Sequence, residues 1–383
     1  MRDCVSVCLL LLALVFCGTR AAAGQPAAPD DSMRASVLIC TAGNEFYYSF
    51  GHAAIRICDP QTGVDDVYNY GTFDFSTPNF YWKFMRGQLD YQLSRSSTEG
   101  FLAGNHYDGR AVFELPLNLS AHEVRNMVAL LETNYLPQFR YYRYDFLRDN
   151  CATRVRDVVD ASAGKCKVDV GAMQTTTYRR YIHQALKDTL EWWSLGVDLL
   201  FGLPTDHRCT PHEALFLPPV MMQAYADATL DDKPLTGRAK VLVPYCRDEK
   251  NRSFPPLVVF SLLFLVVALL SSFKLNPSVG RIVDRVLFTV SGLAGLFLCF
   301  MWFGTAHWCT AWNLNILWLS PLLILVAIRL ERSPRWALWL QEGCFLAAMV
   351  WVVWCGLSLA IIPAVLTLSL RVGLLLKGKQ VSR

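Results

Sequence analysis

The chain has 383 residues, 53% of them hydrophobic and 18% charged, and its mean hydropathy is positive. That is too apolar for one water-soluble globule, and the excess lies in the last third, so the class is a membrane protein with a soluble head. The net charge of +4 is small, owes much to loops flanking apolar segments, and gives no footing for nucleic-acid binding.

Residues 5–17 form a short apolar core behind Arg2, and Ala21-Ala22-Ala23 offers a small-residue cleavage site. This pattern predicts a signal peptide over 1–23 and an exported head. Residues 24–254 are long enough for one domain with its own core. Ser36 to Thr41 reads as a first strand. His52 to Cys58 alternates as a second, Asp59-Pro60-Gln61-Thr62-Gly63 is a turn, and Val64 to Tyr70 returns. With the turn centred near Gln61, Tyr70 falls opposite His52 and Asn69 one position off; Asn69 has the chemistry to orient an imidazole. The stretch 73–89 is rich in aromatics (Phe73, Phe75, Phe80, Tyr81, Trp82, Phe84). It reads equally as core packing and as an acyl-chain or membrane-contact surface. Further strands are expected at 91–93 and 111–115. A capping box at Ser120 and Glu123 opens a helix to about Asn134, and later helices cover about 175–190 and 212–228.

The run Arg148-Asp149-Asn150-Cys151-Ala152-Thr153-Arg154-Val155 carries the chemistry. Asn150 is a good N-cap, and Val155, Val158 and Val159 share one stripe, so a helix begins at or next to Cys151. A thiol there meets unpaired N–H groups and the positive end of the helix dipole, which favour thiolate. A strand His and a helix-opening Cys are the parts of a thiol enzyme: Cys151 attacks, His52 moves the proton. The bland alternative is a Cys that packs or pairs. Cys40, Cys58, Cys166, Cys209 and Cys246 can pair in an oxidising compartment, in a connectivity that spacing does not reveal, while a nucleophilic Cys151 stays free. No His/Cys cluster has zinc spacing, so neither metal nor cofactor is expected.

Pro255-Pro256 end the head, and apolar runs follow at about 257–273, 283–303, 314–328, 336–354 and 357–376. Five spans put Lys274, Arg281, Arg285, Arg329, Arg332, Arg335, Lys377, Lys379 and Arg383 on the cytoplasmic side, as the positive-inside rule asks; four would not. Trp302, Trp308, Trp312 and Trp318 cluster around the outer connection, at 304–313. There His307 and Asn313 read either as a polar turn with a helix cap or as contacts to a lipid headgroup at the membrane face. The spans read as free of charge, which argues against a proton-coupled transporter. The fold class is therefore an α+β exported domain followed by an all-α transmembrane domain of about five helices over 255–383.

The order of strand His, then Asn-Cys at a helix start, resembles the circularly permuted NlpC/P60-like thiol enzymes, a papain-like group. A closer likeness is to the Lnb-type bacterial lipoprotein N-acyltransferases, whose exported thiol domain is fused to a multispan membrane domain. The stretches that carry it are Tyr48 to Arg56, Tyr68 to Phe75, Arg148 to Arg154, Gly196 to Pro204 and Asn313 to Trp318. The resemblance implies acyl transfer from a phospholipid donor to the N-terminal cysteine amine of a lipoprotein acceptor, at a bacterial inner membrane with the head on its periplasmic face. It implies catalytic roles for Cys151 and His52, and leaves the third polar residue open among Asn69, Tyr70 and Asn150. The alternatives are a membrane-tethered cysteine peptidase or amidase acting on cell-wall peptides, which the same fold supports, and a non-enzymatic envelope sensor.

Overall fold

A computed structural model describes residues 32–43, 45–164, 168–171, 173–186, 191–245, 254–272 and 277–381. The expected signal peptide and the cysteines Cys166 and Cys246 lie outside these residues. The head is built on one antiparallel sheet of seven strands: β1 (Arg34–Cys40), β2 (His52–Asp59), β3 (Val64–Thr72), β4 (Asp90–Ser97), β5 (Val112–Pro116), β6 (Tyr141–Arg143) and β10 (Lys240–Val243). Their order is β10-β5-β1-β2-β3-β4-β6. Three two-residue strands, β7 (Val168–Asp169), β8 (Thr229–Leu230) and β9 (Lys233–Pro234), make a small second sheet.

Central strand β1 is apolar almost throughout because both its faces are covered. Val37, Ile39, Ala53 and Ile55 pack with Met127, Leu131, Val155 and Val159. On the other face Leu38, Ala54, Val67 and Val112 pack beneath Phe101 and Leu102. The helices of the head are α1 (Phe80–Met85), α2 (Thr98–Tyr107), α3 (Ala121–Tyr135), α4 (Cys151–Ser162), α5 (Tyr178–Leu186), α6 (Glu191–Leu200), α7 (Pro211–Ala214) and α8 (Pro218–Asp227). The Ser120–Glu123 capping box opens α3 as expected. The single helix expected over 212–228 is instead two: Pro218 cannot donate within a helix interior and takes the first position of α8.

The β2–β3 hairpin pairs Ile55 with Tyr68, one position on from the expected register. Cys40 faces His52 at one end of the β1–β2 pair while Cys58 faces Arg34 at the other, so the strands hold these two thiols apart. Cys40, Cys58, Cys151 and Cys209 are all free.

The membrane domain follows as α9 (Pro256–Ser272), α10 (Pro277–Phe303), a third segment of 3-10 turns leading into α11 (Leu322–Arg329), α12 (Arg335–Cys355) and α13 (Ile361–Val381). Four segments are long and apolar enough to cross a membrane, Ser278–Phe303, Trp308–Arg332, Arg335–Cys355 and Ile361–Gly378, and the shorter apolar α9 accompanies them. Gly356 ends α12 in the left-handed conformation, at φ 67°, where the sequence predicts the break of a hairpin. The spans are not free of charge. Asp284 pairs with Arg371 at 2.6 Å, and Arg371 also reaches Ser271 and the Gly280 carbonyl. Glu342 accepts from Ser369 at 2.6 Å. The apolar bundle tolerates Asp284 and Arg371 because their ion pair is closed and further hydrogen-bonded inside it.

The head is seated on the connection between the second and third spans. The Gly202 N–H donates to the Cys309 carbonyl at 2.8 Å, and a Cβ on Gly202 would lie 1.8 Å from the Ala311 oxygen. Only glycine allows that approach. Asn315 donates to the Asp198 carbonyl at 2.7 Å. The fully buried Asp198 carboxylate gathers Arg179, His183 and the Ser358 N–H, tying α5 and α6 to the α12–α13 turn. Ala306 donates to the Arg86 carbonyl, and Arg148 stacks on Trp308.

Candidate active site

A tight turn delivers the thiol. Asp145 and Asp149 exchange backbone hydrogen bonds, and the Asp145 carboxylate accepts from the Leu147 and Arg148 N–H groups at 2.9 Å. Asn150 then caps α4: its side-chain oxygen accepts from the Thr153 N–H at 2.9 Å, and Thr153 Oγ1 accepts from the Asn150 N–H at 2.8 Å. Its amide hydrogens go to the Phe146 and Phe216 carbonyls at 2.8 and 2.9 Å. Asn150 is buried and fully used, so it positions Cys151, the first helical residue, whose side of the helix packs on the sheet.

His52 opens β2. Its Nε2–H donates to Asn69 Oδ1, which leaves Nδ1 unprotonated as the acceptor. A Cβ on Gly71, at φ +87°, would lie 3.4 Å from the Cys151 Cβ and 3.9 Å from the His52 Cε1, so thiol and imidazole border one small space that only a glycine leaves open. The backbone N–H groups of Ala53, Ala152 and Cys151 lie near enough to the thiol to favour its ionised form, against the larger effect of burial. Thus Cys151, His52 and Asn69 come together. Tyr70 does not join them: its hydroxyl accepts from Asn134 at 2.8 Å, and its ring lies in the core, edge-on to Tyr142.

Burial decides the resting charges. It pushes the His52 imidazole down to about 4, the Arg110 guanidinium adds to that, and the bond to Asn69 opposes it. Burial also raises the Cys151 thiol above its ordinary value, against the pull of the Ala53 and Ala152 N–H groups. The thiolate expected at the helix start is therefore not the resting form, since desolvation outweighs the helix end. The resting pair is a thiol beside a neutral imidazole.

Two residues near the sulfur carry no local sequence signal. Tyr142 is buried with a hydroxyl that has no partner, and Arg110 is 3% exposed with an unpartnered Nη2. Both reach the site through strand order, which no single segment encodes. The aromatic stretch does two things. Phe80 is core, whereas Phe75, Tyr81 and Trp82 are exposed. Rings run in sequence from Phe73 to Phe75 (5.1 Å), Phe80 (4.8 Å) and Phe84 (6.1 Å), and Trp82 of the same helix stacks on Phe300 of α10. His307 lies against Gly87, and its Nε2 donates to the Phe84 carbonyl at 3.1 Å. Asn313, read either as a helix cap or as a headgroup contact, is buried: its side-chain oxygen accepts from the Asn315 N–H at 3.0 Å, and both its amide hydrogens satisfy the Leu199 and Leu200 carbonyls at the end of α6. Among the described residues Asp157, Asp160 and His212 form a cluster with metal-ligand spacing, and Asp157 and His212 in it are exposed.

The chain matches the family model of the Lnb N-terminal periplasmic domain over residues 25–184 and that of the Lnb transmembrane domain over residues 248–380. No curated protein and no solved structure matches the chain. The two matches cover the part of the head that carries Cys151 and His52 and all the apolar helices, about three quarters of the chain between them, and the chain belongs to the Lnb family.

Proposed function

We propose that this protein is a membrane acyltransferase that moves a fatty acyl chain from a phospholipid, through a thioester on Cys151, to the N-terminal cysteine amine of a lipoprotein. The observation that supports it most is the grouping of the buried Cys151 with the half-buried His52 and Asn69 in a head whose aromatic row runs onto a helix that stacks on the membrane domain. Water hydrolyses an exposed acyl thioester, so transfer rather than hydrolysis calls for a dry site near the bilayer. In this reading 1–23 is a signal peptide, 24–254 the periplasmic catalytic domain and 255–383 the membrane domain, in a bacterial inner membrane.

The first half-reaction begins with His52 Nδ1 accepting the thiol proton as Sγ attacks the ester carbonyl. The oxyanion draws on the N–H groups at the start of α4 and of β2. The carbon–oxygen bond to glycerol then breaks. His52 returns the proton to the departing glycerol oxygen, and a lysophospholipid leaves. In the second half the lipoprotein amine attacks the thioester carbonyl, His52 takes the amine proton, the carbon–sulfur bond breaks and the proton goes back to sulfur. Asn69 holds the ring so that Nδ1 faces the thiol throughout.

The test uses the full chain in mixed micelles with phospholipid and a synthetic diacylated lipopeptide. One acyl chain should appear on a peptide with a free N-terminal amine and none on its N-acetylated form. Cys151→Ala and His52→Ala should each lose about 10³-fold in rate. Acylation of the blocked peptide, or wild-type turnover by Cys151→Ala, would contradict the assignment.

A further inference from the structure

Arg110 is held as a cation without a counter-charge. Its Nε donates to the Thr41 carbonyl at 3.0 Å, its guanidinium lies 3.9 Å from the centre of the Tyr48 ring, and a Cβ on Gly43 would meet its Cδ at 3.2 Å. The side chain is therefore fixed in place. Its Nη2 is buried and donates to nothing, and among the described residues no carboxylate pairs with it. A charge removed from water and left unpaired is costly, and a fold keeps one where an anion arrives.

Strand order fixes where that anion sits. Thr41 donates to the Ala111 carbonyl, and Cys40 lies opposite Val112 on one side and His52 on the other. Arg110 thus stands at the end of three adjacent strands, the same end at which His52 meets Cys151. Its charge is felt at both. The resting thiol offers it no negative partner, and in the mechanism above the oxyanion falls to backbone N–H groups. A phosphodiester remains. In a glycerophospholipid the phosphate and the acyl esters hang from one three-carbon backbone. An ester carbonyl at the sulfur therefore brings the phosphate to the border of the site. A guanidinium matches phosphate oxygens with paired N–H donors.

We propose that Arg110 binds the phosphodiester of the glycerophospholipid acyl donor while its ester is attacked by Cys151. The proposal rests on the phospholipid-donor reading above. It assigns the site a substrate class with phosphate beside the ester, and gives Arg110 a role in binding rather than in proton transfer.

The experiment measures the rate at which Cys151 gains an acyl group, by intact mass spectrometry of the full chain in detergent. Phosphatidylglycerol is compared with diacylglycerol of the same acyl chains, and p-nitrophenyl butyrate reports the intrinsic reactivity of the thiol. Wild type should favour phosphatidylglycerol over diacylglycerol, and in Arg110→Gln that ratio should fall about 10- to 100-fold. Arg110→Lys keeps the charge without the planar fork and should fall between the two, which carries the test if the Gln variant does not fold. Equal loss with all donors would make Arg110 a general electrostatic or folding residue and overturn the proposal, as would an unchanged ratio. A wild type that reacts with p-nitrophenyl butyrate and with neither lipid would overturn the donor reading itself, a result distinct from a failure of Arg110 alone.

Discussion

His52 is the residue whose environment sets the chemistry. With its value lowered to about 4, it is neutral at the pH of an envelope and ready to accept a proton. Under the proposed mechanism kcat/KM for a small ester should hold steady from pH 7 down to about 5 and fall with an apparent pKa of about 4. An acid limb at the ordinary histidine value, about 6.5, would contradict this. Stability follows the same sign. Between the unfolded value near 6.5 and the folded value of about 4 the unfolded chain binds the extra proton, so the contribution of His52 is full above that window and is lost as pH falls through it. Cys151 and His52 were legible in the sequence because each sits in a short segment with local punctuation, a cap before one and a turn after the other. Asn69 was one register step from certainty. Arg110 was invisible, since only the adjacency of β5, β1 and β2 brings it to the thiol.

At the scale of elements, the segment before Cys151 matters as much as the helix after it. The caps at Asn150 and Ser120 follow from residue chemistry that a sequence displays openly. What the sequence hides is that the Asn150 amide also closes two carbonyls, one of them 66 residues away. Asn150→Asp keeps the cap acceptor and loses both of those donors. It should therefore destabilise the protein by about 2 kcal/mol in denaturant melts, because two buried acceptors are left facing a carboxylate. A variant as stable as wild type would show that those bonds carry no weight. Helices α2 and α6 escaped the sequence reading. Helix α2 has no sharp apolar stripe, and tertiary contact rather than local pattern holds it; α6 follows 187–190, where the sequence reading ended its preceding helix, and was passed over. The doubled proline at 218 and 219 was a stronger boundary signal than the apolar pattern across it.

At the scale of the molecule, the count of apolar segments was readable from length and from the placement of arginine and lysine. How the head sits on them was not. That depends on Gly202 against Ala311, on Asn313 closing α6 and on Asp198 gathering three donors, all contacts between segments more than a hundred residues apart or between helices with no shared motif. The same blindness hid the Asp284–Arg371 pair, which looks like two isolated charges until α10 and α13 pack. The docked arrangement brings Trp82, on the helix that carries Phe80 and Phe84, into a stack with Phe300 of α10. The central claim is that Cys151 carries the fatty acyl chain as a thioester. Intact mass spectrometry of the full chain incubated with phospholipid, wild type against Cys151→Ala, addresses it directly. The account predicts an acyl-sized mass increase on wild type alone, removed by neutral hydroxylamine; a wild type that reacts with a thiol reagent at Cys151 yet never gains that mass would contradict it.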